Sequence, residues 1–139
     1  MDPARYTGRC LCGSVRYEVS GTAATLCYCH CDSCRRAAGA PMVAWGTFAR
    51  SAFRVTRGQL SEHRSSAPVL RGFCASCGGA LTYQHDARPT EIDVTLASLD
   101  APAALAPRMH VWVAEKLPWL VISDSLPQFT ASSGAAAGP

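Results

Sequence analysis

Lysine is almost missing from this chain: Lys116 stands alone among 13 basic residues. Without a dense Lys/Arg face there is no footprint for a phosphate backbone, so a nucleic-acid partner is not expected. Charged residues make up only 17% of the sequence, yet 48% is hydrophobic, which excludes a disordered chain. No apolar run reaches the roughly 18 residues of a membrane span. The opening Met1-Asp2-Pro3-Ala4-Arg5 lacks a basic stretch leading into an apolar segment, so no secretory leader is expected. With no export there is no oxidising compartment to maintain disulfides, and the expectation is a cytoplasmic protein. The length of 139 residues suits one domain with a modest core.

Cysteine, by contrast, is plentiful: eight residues fall into three tight groups, Cys10-Cys12, Cys27-Cys29-Cys31-Cys34 and Cys74-Cys77. Thiolates this close can converge on one tetrahedral metal, with Zn–S near ~2.3 Å. Pairing such neighbours as disulfides would strain small rings, because bridged Cα atoms usually stand roughly 4.4–6.8 Å apart. Zinc is the first expectation. If seven cysteines hold two Zn²⁺ as thiolates, the formal charge of +3 falls to zero. Arg9, Arg35 and Arg36 sit beside the groups, where they can neutralise thiolate charge locally.

Cys10, Cys12, Cys74 and Cys77 form a complete four-thiolate set, which closes the tetrahedron and marks a structural site. The competing reading is four small buried hydrophobes. Cys29, Cys31 and Cys34 offer three thiolates with a fourth position open, the arrangement of catalytic zinc. Cys34 also falls in a first helical turn, where the dipole favours a thiolate. Cys27 leaves two alternatives: a fourth ligand that closes the second site, or a buried thiol on the strand leading into it. His30 is either a ligand or an acid–base or supporting group beside the metal.

Elsewhere, period-2 segments separated by turn residues dominate. Strands are expected over Val15–Val19, Met42–Phe48, Val69–Phe73, Ala80–His85, Glu91–Leu96 and Met109–Val113. Phe53–Val55 is expected to turn at Arg57-Gly58 and pair with Leu60–Arg64. Asp32 or Ser33 could cap a short helix over Cys34–Ala38, stopped by Gly39 and Pro41. Leu99–Leu105 could form one turn, broken by Pro102. From Thr130 onward the composition of Ala, Ser, Gly and Pro predicts a disordered tail. The domain expectation is thus 5–129, followed by a tail at 130–139.

Three motifs carry a resemblance: Gly8-Arg9-Cys10-Leu11-Cys12-Gly13, Cys29-His30-Cys31-Asp32-Ser33-Cys34-Arg35, and Phe73-Cys74-Ala75-Ser76-Cys77-Gly78. With His110-Val111-Trp112 and Pro118-Trp119 behind them, the chain resembles the glutathione-dependent formaldehyde-activating enzyme family, which includes the centromere protein V domain. The resemblance spans about Tyr6 to Phe129. It implies a mainly β fold, a β-tent of small antiparallel sheets organised around zinc-thiolate sites, with one or two short helices. It implies two zinc ions, one structural at Cys10, Cys12, Cys74 and Cys77, one catalytic at Cys29, Cys31 and Cys34. The implied activity is that of a carbon–sulfur lyase, joining glutathione and formaldehyde as S-hydroxymethylglutathione or cleaving that adduct.

His30 and Asp32 are the nearest acid–base candidates, with His110 more distant. Arg35 and Arg36 could pair with the carboxylates of glutathione, or simply offset cluster charge on a solvated helix face. Trp45, Trp112 and Trp119 could wall a pocket, although aromatics in a small β-domain usually fill its core. The competing class is a non-catalytic zinc module for a protein or chromatin partner. A second site closed by Cys27 would favour it.

Overall fold

Alternating inward and outward positions build most of this molecule, seen in a computed structural model that describes residues 3–132. The strands are β1 (Arg5–Arg9), β2 (Arg16–Ser20), β3 (Thr25–Cys29), β4 (Val43–Ala49), β5 (Phe53–Arg57), β6 (Ser61–Ser66), β7 (Val69–Phe73), β8 (Ala80–His85), β9 (Glu91–Thr95) and β10 (His110–Val111). One helix, α1 (Asp32–Ala38), interrupts them. β1-β2-β5 form one sheet, and β10-β3-β4-β9-β8-β7-β6 form a second. Every pairing between these strands is antiparallel except β10 with β3. The fold is mainly β, as the sequence predicts.

Tyr17 and Val19 supply the inward side of β2 and join Phe48, Leu81 and Val94 in the core between the sheets. β1 has no sequence signature because its one buried position is Gly8. The ring of Tyr17 occupies the place a Cβ at Gly8 would need, so the partner strand fills this position. The expected hairpin of β5 with β6 does not form. Phe53 stacks on Tyr17 at 5.5 Å, which draws β5 into the sheet with β2, while β6 pairs with β7 as the outer strand of the other sheet.

β4 is apolar on both sides. Ala44 and Phe48 join the core shared with Tyr17, while Val43 and Trp45 join a second cluster with Cys27, Cys29, Cys31 and Cys34. The helix cap differs from expectation: Cys31 caps α1, its sulfur accepting from the Cys34 N–H at 3.3 Å. Gly39 ends the helix as predicted. Pro102 opens a 3-10 turn, Pro102–Ala104, where a proline needs no N–H partner. The expected strand Met109–Val113 is cut to β10 because Trp112 takes a left-handed conformation at φ 58°. Beyond it the backbone returns along β10, and Thr130 and Ala131 accept from Ala114 and Trp112. The remainder of the expected tail, 133–139, lies outside the described residues.

Candidate metal centres and the adjoining pocket

Two turns from different sheets build the first centre. Cys10 and Cys12 lie in the turn from β1 to β2, Cys74 and Cys77 in the turn from β7 to β8, and their four sulfurs lie within 4.8 Å of one another. Gly13 at φ 78° and Gly78 at φ 75° provide left-handed backbone in each turn, which other residues reach only at a cost. Their N–H groups donate to the Cys10 and Cys74 carbonyls, and the Val15 and Cys77 N–H groups point at the Cys10 and Cys74 sulfurs. Ser14 lies 3.3 Å from the Cys74 sulfur. Its hydrogen bond, reinforced by backbone N–H groups, pulls that thiol down to about 6.

Cys29 ends β3, Cys31 caps α1 and Cys34 stands in its first turn, so one strand-to-helix junction aims three buried sulfurs at a common point. Hydrogen bonds shared among these thiols draw Cys31 down and push Cys29 up, and Cys31 is fully buried. Three thiolates this close need a cation to ionise together. The donor chemistry of both groups, sulfur alone with N–H groups behind it, fits zinc.

Cys27 is outside both groups. It projects from the same face of β3 as Cys29, about 6.6 Å further back along the strand, opposite Trp45. Its sulfur is not among the group whose members all lie within 4.8 Å of one another, so it stands apart from the junction. Burial pushes its thiol up to about 12, where it stays neutral.

Arg71, on β7, was not legible in the sequence as a site residue. Its side chain reaches the junction, with Nη1 and Nη2 each 3.7 Å from the Cys34 sulfur. Nε donates to Ser65, and the guanidinium lies 5.0 Å over the Tyr83 ring. A cavity of about 320 Å³ opens beside this pair, lined by Cys34, Arg71, Val43, Trp45, His63 and Phe73. A larger cleft of about 660 Å³ adjoins it beneath α1 and runs to Cys10 and Cys77. The smaller cavity is the one that touches the three-cysteine group.

His30 and His110 prove to be neighbours. His30 Nε2 lies 2.8 Å from His110 Nδ1, and His110 Nε2 lies 2.9 Å from Asp124 Oδ2. Because a carboxylate only accepts, His110 Nε2 carries its hydrogen, His110 Nδ1 accepts, and His30 Nε2 donates. That logic leaves a lone pair on His30 Nδ1, which is buried and has no hydrogen-bond partner among the described residues. Burial and the neighbouring His110 lower the His30 pKa, so the ring is neutral. Asp124 carried no signal in the sequence, since only the return of the chain along β10 brings it to His110.

Asp32 is placed differently. Its carboxylate pairs with Arg35 at 2.8 Å and Arg36 at 3.0 Å, and its N–H donates to Glu115. Asp32, Arg35 and Arg36 thus engage one another on the helix, and none of them lines the cavity beside Cys34. Of the tryptophans, Trp45 lines that cavity, Trp112 is half-buried at the end of β10, and Trp119 is exposed.

A sequence model of the glutathione-dependent formaldehyde-activating enzyme family matches residues 5–115. The chain belongs to that family. Its membership makes this a chain of an enzyme family concerned with formaldehyde activation and glutathione, and both cysteine groups fall inside the matched segment. Among solved structures it is similar to a Rhodobacter sphaeroides protein crystallised as a structural-genomics target. The identity is 25% and the TM-score 0.57, over 89% of this chain and 99% of that one. No curated protein matches. No helix among the described residues is long and apolar enough to cross a membrane.

Proposed function

We propose that this family member is a zinc-dependent carbon–sulfur lyase acting on glutathione or another thiol adduct, forming or cleaving S-hydroxymethylglutathione. The observation that carries the reading is the open junction: three converging sulfurs beside a cavity, with Cys27 held out of reach. A zinc ion there would supply Lewis acidity and a soft preference for a sulfur ligand. Cys29, Cys31 and Cys34 would hold it, while Cys10, Cys12, Cys74 and Cys77 would hold a structural ion.

In the forward direction the substrate thiol gives up its proton, and the sulfur attacks the formaldehyde carbon. The new C–S bond forms as the carbonyl π electrons move to oxygen, and that oxygen takes up the proton. The reverse reaction returns the proton to sulfur and frees the aldehyde. His110 and Asp124 fix the neutral His30 ring between Cys29 and Cys31, where it is buried and lines neither cavity, so its role is to position the junction. Trp45, Val43 and Phe73 provide an apolar wall that excludes water. We assign the activity to one domain over 5–129, in the reducing cytoplasm that free thiolates require.

The competing binding-module reading would be favoured by a second site closed by Cys27, and Cys27 lies outside that group. Metal analysis combined with X-ray absorption tests the proposal. The expected result is two zinc ions per chain, with added glutathione contributing one further sulfur at one of them. One ion per chain, or two sites already saturated with four protein sulfurs, would refute it.

A further inference from the structure

Arg71 is 8% exposed, yet no carboxylate pairs with it among the described residues. Its neighbours are a serine hydroxyl, the face of Tyr83 and the Cys34 sulfur. A guanidinium is costly to bury without an anion, so the cysteine junction is its counter-charge. At 3.7 Å the two nitrogens touch Cys34 without locking to it, and the side chain also lines the cavity.

We propose that Arg71 is the counter-ion that allows the three-cysteine site to accept the thiolate of a small substrate as its fourth donor. This rests on the reading of that junction as an open, thiol-binding metal site. Three thiolates and a divalent ion carry a net charge of −1, and a fourth thiolate makes it −2. In a buried pocket the second charge is strongly opposed unless a cation faces it. Arg71 restores the sum to −1 and lines the cavity through which the thiol enters. The four-cysteine group meets the same charge in another way: Cys12 is open to water and Cys77 partly so. Only the junction, where all three cysteines are buried, requires an internal cation.

The full chain loaded with Co²⁺ provides the test, because a sulfur ligand entering the open site changes the sulfur-to-cobalt absorption bands. Glutathione and 2-mercaptoethanol, which lacks a carboxylate, are titrated into wild type, Arg71→Met and Arg71→Lys, with metal content measured in each. Both variants should retain two metals. Arg71→Met should weaken both thiols by at least about tenfold and to a similar extent, and Arg71→Lys should recover part of that loss. Unchanged thiol binding would overturn the inference. A loss confined to glutathione would instead make Arg71 a carboxylate clamp. Loss of the second metal from both variants would show that Arg71 supports the ion itself. A wild-type band that neither thiol perturbs would remove the thiol-binding reading, and the inference with it.

Discussion

Cys27 and Cys29 are two residues apart on one face of β3, yet only Cys29 joins a group that could hold a metal. Cys29 sits at the strand end where Cys31 and Cys34 meet it, whereas Cys27 faces Trp45 with its thiol pushed up to about 12. In the metal-loaded protein, no cysteine should react with iodoacetamide at pH 8. After chelation under native conditions, exposed Cys12 should be alkylated well before buried Cys27. Peptide mapping by mass spectrometry would follow the order, and early labelling of Cys27 would contradict its assignment as an inert thiol. The metal-binding cysteines were legible because their spacing restricts them to shared turns. Cys27 was not resolved, since only the strand geometry shows that it falls short. Arg71 gave still less signal: a lone charge in the apolar run Val69–Phe73 reveals nothing about the sulfur it faces across the fold.

At the scale of elements, the reactive junction depends on a segment distant in sequence. The Tyr28 and His30 N–H groups donate to the Met109 and Val111 carbonyls, and Asp124 closes the chain through His110 to His30. Asp124→Ala removes the acceptor that fixes the two ring tautomers. The expected result is a mixture of His30 tautomers in nitrogen–proton NMR correlations, with both metals retained. Asp124→Asn keeps an acceptor oxygen and should lie between that variant and wild type. An unaltered His30 spectrum in Asp124→Ala would show that the carboxylate does not set the tautomer. The strands with clear alternation, such as β2 and β8, were legible from their own residues. β1 was not, because Gly8 borrows its buried group from Tyr17, and the separation of β5 from β6 depends on a stacking contact that no local pattern encodes.

Across the whole molecule, the two metal groups carry different structural weight. The four-cysteine group joins the turn between β1 and β2 to the turn between β7 and β8, and so fastens the smaller sheet to the larger. Structural zinc is worth about 10 kcal/mol or more in small domains, comparable to an entire domain's stability of roughly 5–15 kcal/mol. Cys74→Ser should therefore unfold the chain, while Cys31→Ser should lose one zinc and thiol-dependent activity with the fold intact. Metal content and near-ultraviolet circular dichroism distinguish these outcomes. Full zinc occupancy in Cys31→Ser would contradict the assignment of the junction.

The parallel pairing of β10 with β3 also sets an order of assembly. All three junction cysteines have left the ribosome once Cys34 has been made, but the acceptors for Tyr28 and His30 lie at Met109 and Val111, and Asp124 emerges later still. During synthesis the thiol-rich loop thus exists before its backbone partners do. The four-cysteine group can gather as soon as Cys77 has been made, so the staple precedes the reactive loop. Completion of the candidate active centre thus waits for Asp124, whereas the four-cysteine group waits only for Cys77.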